Sequence, residues 1–235
     1  DFTPAEAERF HRNQSRDPVA YEYFLRSRFL LSTNNHRKAI ELLTEAVRMD
    51  PNFALAWAYL ARAYHINALQ FSGSRAELSE AEADYDQALA LDPELSQARL
   101  MKAKLLTETG RVEQSVPLLL QLVKADPNLA DALWELSYAY RYAGLLNDSI
   151  EAGERALQID PRQESHQFNS YLYNGQYDKF MASLPVREDG YVVFYRGFGY
   201  YYLNDLNHAA AAFDRAYELN QSSVISQLGK ALRLG

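Results

Sequence analysis

Between Asp50-Pro51 and Asp92-Pro93 the chain reads Ala54-Leu55-Ala56-Trp57-Ala58-Tyr59-Leu60-Ala61-Arg62-Ala63-Tyr64, and further on Ala81, Tyr85 and Ala88 precede the second proline. With Pro93 set at position 32 of a unit that starts at Ala54, Trp57, Leu60, Ala61 and Tyr64 occupy positions 4, 7, 8 and 11. Past an insertion of eight residues, Ala81, Tyr85 and Ala88 occupy positions 20, 24 and 27. Large residues at helical spacing make the buried stripe of a first helix. Small residues at 8, 20 and 27 let two antiparallel helices approach closely. The proline cannot continue the second helix, and it pushes the residue before it away from helical geometry. The Asp-Pro pair recurs at Asp126-Pro127 and Asp160-Pro161, with an earlier echo at Asp17-Pro18. The last three prolines are 34 residues apart, and the first interval, 42, is one period plus the insertion. A 34-residue period predicts an all-α solenoid of helical hairpins, an architecture that serves chiefly as a binding scaffold.

The other units keep the register less completely. The first, from Ala20, carries Ser27, Leu30, Ala39, Leu43, Ala46 and Pro51. The third, from Ser96, carries Ala103, Leu106, Ser115, Leu119 and Pro127, with Gly110 at its turn. The fourth, from Ala130, carries Leu136, Ser137, Tyr140, Ser149, Ala156 and Pro161, with Gly144 at the equivalent turn. A shorter, degenerate unit lies between Arg162 and Pro185, with Gly175 as its turn, and a better one returns from Gly190 with Gly197, Tyr200, Ala209, Phe213 and Ala216. Asn52 and Asn128, each following a proline, suit the cap of the next helix. Ser72-Gly73-Ser74 in the insertion reads as a flexible loop on one edge of the solenoid.

This pattern, in register through several units, resembles the tetratricopeptide repeat (TPR) family over residues 17–222. The resemblance implies a right-handed superhelix of about six units in one domain, 1–235, with a leading helix at 1–16 and a capping or partial helix at 223–235. A narrower resemblance rests on Thr3-Pro4-Ala5-Glu6-Ala7-Glu8-Arg9 and on Asp17-Pro18-Val19-Ala20-Tyr21-Glu22-Tyr23-Phe24-Leu25-Arg26-Ser27-Arg28. With the long turn of the second unit, these look like the C-terminal repeat region of bacterial multidomain signalling proteins, where repeats follow a winged-helix regulator, a nucleotide cyclase or a Ser/Thr kinase. The opening at Asp1 and the stop at Leu234-Gly235 fit an excised piece of a longer protein.

Composition narrows the partners. The chain is 48% hydrophobic and carries a net charge of −7, with the charges mixed along the helices. A duplex nucleic-acid binder would show a basic stripe, because phosphate contacts dominate that affinity, so nucleic acid is disfavoured. With no cysteine, disulfides and thiolate metal sites are excluded, and cytoplasm and periplasm suit the chain equally. No apolar run approaches the ~18–20 residues that span a bilayer, and no signal-peptide pattern is visible.

In the TPR family the concave face is lined by positions 2, 5, 9, 12 and 13 of each first helix. Carried onto this sequence, those positions give the expected partner-binding groove: Tyr21, Phe24 and Arg28; Arg62 and His65; Lys104; Trp134, Tyr138, Arg141 and Tyr142; and Phe194, Phe198 and Tyr201. Position 9 is basic in the first three units, and the face turns aromatic toward the C-terminus. Such a groove suits an extended or helical peptide with acidic and apolar residues, since Tyr, Trp and Arg dominate interface energetics. The competing reading packs the aromatics between units and pairs the cations with acidic neighbours. The segment Gly190 to Tyr202 is apolar nearly all round, so it is either buried on several sides or a contact surface. The Lys and Asn clamp by which some TPR proteins hold a C-terminal carboxylate is not expected, because Arg or Lys replaces the Asn it needs at position 9.

Catalytic signals are thin. The five histidines are scattered, and no zinc, phosphate-loop or nucleophile-elbow motif occurs. Glu80 and Asp84 have helical spacing but read as solvated charges. The sequence therefore predicts a non-catalytic interaction module with no cofactor and no metal. Its rivals are a self-association module serving a linked effector domain, a single-stranded RNA solenoid of the pentatricopeptide kind and a small-ligand sensor on the aromatic pocket.

Overall fold

A computed structural model describes residues 15–162, 168–221 and 227–228. Most of the leading helix read at 1–16 and most of the terminal one at 223–235 lie outside the described residues. All regular structure among the described residues is helical, and the chain divides into two compact units, Asp1–Pro127 and Asn128–Gly235.

The first unit contains three helical hairpins: α1 (Pro18–Ser32) with α2 (His36–Met49), α3 (Ala54–Asn67) with α4 (Arg75–Leu91), and α5 (Ser96–Glu108) with α6 (Val112–Ala125). The second contains α7 (Ala130–Tyr142) with α8 (Leu146–Ile159), α9 (Phe168–Tyr173) with α10 (Tyr177–Ser183), and α11 (Gly190–Tyr202) with α12 (Leu206–Leu219). Within each unit, neighbouring hairpins stack as the 34-residue period predicts. The small residues perform the close approach. Ser27, Ala61, Ala103, Ala39, Ala81 and Ser115 are fully shielded from solvent, as are Ala46, Ala88, Ala156 and Ala216 further along the second helices. Where serine replaces alanine, its hydroxyl is satisfied inside the hairpin. Ser115 Oγ donates to the Ala103 carbonyl at 2.8 Å. Ser137 Oγ donates to the Ser149 carbonyl at 2.6 Å and Ser149 Oγ returns a bond to the Ser137 carbonyl at 2.7 Å. A buried polar group needs such a partner, and a hydroxyl facing a carbonyl supplies it without adding bulk.

The turns share one chemistry. In five hairpins a residue with positive φ ends the first helix, and the residue after it donates back five positions: Asn35 to Leu30, Arg111 to Leu106, Leu145 to Tyr140, Gln176 to Tyr171 and Asp205 to Tyr200. This is the Schellman arrangement, which favours glycine because no Cβ opposes the left-handed backbone. Gly110, Gly144 and Gly175 fill the role, and Asn34 (φ 57°) and Asn204 (φ 63°) fill it in the first and last hairpins.

Two local expectations are corrected. Asn52 and Asn128 do not cap the following helices; Phe53 and Leu129 stand at those N-caps without a side-chain bond. The work falls to the aspartates, whose carboxylates accept from the residue two further on: Asp50 from Asn52 N at 3.1 Å, Asp92 from Glu94 N at 3.1 Å and Asp160 from Arg162 N at 3.1 Å. Nor is the insertion an irregular loop. Ala68–Ser72 prolong α3 as a π-helical turn, Gly73 (φ 66°) reverses the chain, and Ser74 Oγ accepts from Glu77 N to start α4. Asn67 Nδ2 and Ser72 Oγ both donate to the Glu77 carboxylate, which fixes the turn from within.

Candidate partner-binding faces

The first unit offers a face where α1 meets α3. Phe24 is buried, its ring 5.0 Å from Phe53 and 5.2 Å from Tyr59, both edge-on. Tyr21, half-buried, closes the cluster 6.1 Å from Phe24 and 6.2 Å from Phe53. Arg28 is exposed and lays its guanidinium over the Phe24 and Tyr59 rings, at 5.9 and 5.6 Å. A cation seated on ring faces keeps its N–H edges toward solvent. Arg62 is half-buried and Lys104 exposed. His65 is buried, with Nε2 2.8 Å from Glu108 Oε2 on α5.

The second unit carries the aromatic face. On α7, Tyr138 and Tyr142 pair one turn apart (centroids 4.9 Å) and the Tyr138 hydroxyl donates to Tyr142 at 3.2 Å. The Arg141 guanidinium stands 4.9 Å from the Tyr138 ring and 5.9 Å from that of Tyr142. Trp134, one turn earlier, is half-buried. On α11, Tyr191 and Tyr195 pair at 4.7 Å. Burial holds the Tyr195 phenol well above its ordinary range, with Tyr191 adding to the effect and the Arg141 charge opposing it, so the faces of α7 and α11 share one electrostatic neighbourhood. Phe194 is buried against Phe198 and Phe213. Phe198 leads to Tyr202, which stacks flat on Tyr177 of α10 (4.9 Å, 7°), and Tyr201 stands exposed beside it.

Of the thirteen groove residues expected from the sequence, Phe24, His65 and Phe194 are corrected: they are interior, packed or paired between helices, and present no surface to a partner. Arg28 and Lys104 are exposed in the first unit, and Tyr142 and Tyr201 in the second; Tyr21, Arg62, Trp134, Tyr138, Arg141 and Phe198 are half-buried. The α11 segment divides rather than choosing one role, with Val192, Val193 and Phe194 inside and Tyr201 and Tyr202 half open. The register missed Tyr59, which receives Arg28, and it missed Tyr173 and Tyr177, which belong to the degenerate hairpin where no period marks their face. Asp84 is also corrected: it is buried, not solvated. Among the described residues no cluster of three or more metal-ligating side chains occurs, and no helix is long and apolar enough to cross a membrane.

Comparison with known proteins bears on this fold. Two tetratricopeptide repeat family models match, over residues 24–68 and 75–137. The human protein O-mannosyl-transferase TMTC3 is 25% identical over 165 residues, which is 70% of this chain and 17% of that protein. The chain therefore spans less than a fifth of that relative. Among solved structures, the APC/C hetero-tetramer Cut9–Hcn1 aligns with a TM-score of 0.76 and 16% identity, covering 94% of this chain and 44% of that one. Pseudomonas aeruginosa PilF aligns at 0.68 and 19% identity, covering 92% and 99%. The type IV pilus biogenesis factor PilW aligns at 0.69 and 15%, covering 90% and 98%. At these identities the structures establish the fold: the chain carries tetratricopeptide repeats in an all-α solenoid, an architecture of protein-interaction scaffolds.

Proposed function

We propose that this array of tetratricopeptide repeats is a non-catalytic docking module that takes a protein or peptide on the first-helix faces of its hairpins, as the regulatory region of a bacterial signalling protein. One observation carries the reading: on α7 the Arg141 guanidinium is stacked beside the Tyr138 and Tyr142 rings. A guanidinium matches the planar geometry of a carboxylate, and tyrosine rings beside it bring contact area at low rotameric cost. The partner segment is thus one that alternates acidic and apolar residues.

Selection of peptides on the immobilised chain tests this. Enrichment of Asp or Glu beside aliphatic or aromatic residues is expected, with binding at least tenfold weaker in Tyr138→Ala and Arg141→Gln variants that retain the wild-type circular dichroism. Selected peptides without acidic residues, or equal binding by both variants, would sink the proposal. A self-association reading draws on Tyr201, Tyr202, Leu203 and Leu206, which are 54, 47, 43 and 58% exposed at the α11–α12 turn. Light scattering of the purified chain decides it: a dimer of micromolar Kd would be largely assembled at about 100 µM, so a monomer there rules it out.

A further inference from the structure

Helix α2 opens on His36-Arg37-Lys38, three basic residues where a helix ordinarily places acids. Its first-turn N–H groups have no intrahelical acceptor, Asn35 at the N-cap makes no side-chain bond to them, and no acidic residue stands in the first turn. The other second helices offset the same positive end: Ser74 and Glu77 on α4, Glu113 on α6, Asp148 on α8, Asp178 on α10 and the Asp205 cap on α12. Beside the start of α2 lies a cavity of about 370 Å³ lined by Thr33, Asn34, Asn35, His36, Arg37, Asn67 and Phe71. His36 lines it at 4% exposure, and neither of its ring nitrogens has a hydrogen-bond partner. A buried imidazole without a partner is a donor awaiting an acceptor. Phe71, 61% exposed on the π-helical turn, covers that ring at a centroid distance of 5.5 Å.

We propose that the N-terminus of α2 is a binding site for a small organic oxyanion, a phosphate monoester or a carboxylate, whose ring lies against Phe71. The anion meets the first-turn N–H groups and the positive end of the helix, the combination that binds phosphate elsewhere. Arg37, which lines the cavity, adds charge from the same helix; burial, and then the Arg62 charge, hold the His36 imidazole below its ordinary range. Among the described residues no acid lines the cavity, and Glu77, which holds the lining residue Asn67, accepts from Asn67 Nδ2 and Ser72 Oγ. His36 supplies an N–H once Phe71 has turned out. The cavity exceeds the size of a bare phosphate, which is why an attached ring is assigned to Phe71. This site is separate from the aromatic face of the second unit and stands or falls independently of it.

The test is titration of the isotopically labelled full chain with phenyl phosphate, benzoate, inorganic phosphate and phenol, followed by the amide resonances of His36, Arg37 and Lys38. Phenyl phosphate is expected to shift those three amides, with affinity above that of inorganic phosphate, and phenol to leave them unmoved. Asn35→Asp places a carboxylate on the helix end, where it also caps the helix, so the variant folds; it and Arg37→Gln are expected to weaken binding at least tenfold. The charge-matched controls Asn52→Asp and Lys124→Gln should bind as the wild type does. Phe71→Ala should abolish the preference for phenyl phosphate over inorganic phosphate. Undiminished binding by Asn35→Asp, equal effects of phenol, or shifts centred elsewhere overturn the site. Equal affinity for the two phosphates in the wild type overturns the role of Phe71.

Discussion

Replacing Asp84 by Asn should stabilise the first unit, and more so as pH rises. Asp84 lies on α4 at 8% exposure with Oδ2 unpartnered. Burial, and then the Glu80 carboxylate one turn earlier, push its acid up to about 7 from 3.8. The native state therefore keeps this proton to near neutrality, whereas the unfolded chain releases it near 3.8. Because the native state binds the extra proton, stability falls as pH climbs from 3.8 to about 7 and is flat above that. Each pH unit is about 1.4 kcal/mol, so the full window is worth roughly 4 kcal/mol, and about 2–4 kcal/mol after allowing for relaxation around the buried charge. Against a total stability of about 5–15 kcal/mol that is a large share. Asparagine mimics the protonated acid in shape and removes the titration.

The chain has two tryptophans, one in each compact unit. Trp57, whose Nε1 donates to the Pro51 carbonyl at 2.9 Å, reports the first unit once Trp134→Phe silences the second. In that background, urea unfolding followed by Trp57 fluorescence should give the Asp84→Asn variant little advantage at pH 4 and the full advantage at pH 8. Reading one unit at a time matters, because repeat arrays need not unfold in a single step. A wild-type-to-variant difference that is the same at both pH values refutes the reasoning.

Two further outcomes are expected. Gly197→Ala would bring a Cβ within 2.6 Å of the Phe213 ring, a rigid neighbour, and should cost the second unit about 1–3 kcal/mol by urea unfolding. Gly199→Ala meets chiefly the Met181 side chain, which can move, and should cost less. In the first unit, Phe24→Ala should cost about 3–5 kcal/mol as a core truncation, while Arg28→Ala, removing only an exposed cation from two ring faces, should cost about 1 kcal/mol or less; equal costs would reverse the assignment of Phe24 to the interior.

The hairpins were legible because their signals are steric: a small residue at 8 and 20, a proline at 32 and a glycine at the turn each have one physical purpose. The Asp-Pro pair was legible as a period but carries two roles. Asp50, Asp92 and Asp160 end a helix and hold the next turn, whereas Asp17 begins α1, its carboxylate accepting from Val19 N at 2.8 Å and Ala20 N at 3.2 Å. Proline suits both places, lacking an N–H that either position would leave unused. Asn34 and Asn204 escaped notice because asparagine enters the left-handed region less distinctively than glycine. Asp84 looked solvated because helical spacing gives direction around its own helix and says nothing of what packs there.

That limit also explains how the groove residues sorted themselves. At about 100° per residue, positions 2, 9 and 13 of a helix point within about 40° of one another, and positions 5 and 12 point about 60–80° to one side. In the first unit the two stripes separate cleanly. Phe24, Ala58 and Leu100 at position 5 and Leu31, His65 and Thr107 at position 12 are all buried, whereas Tyr21, Arg28, Arg62, Lys104 and Glu108 from the other stripe are half-buried or open. The buried stripe is turned toward the following hairpin: Phe24 lies on Phe53 and Tyr59, and His65 on Glu108. Large residues there are spent on stacking one hairpin upon the next, so their size is no sign of a partner. In the second unit position 12 breaks this pattern, with Arg141 half-buried and Tyr201 open beside Tyr142 and Tyr202. Position 12 thus stacks hairpins in the first unit, whereas in the second it carries a half-buried guanidinium among rings and an exposed tyrosine. That contrast within a single chain is the strongest reason to look for the partner on the second unit.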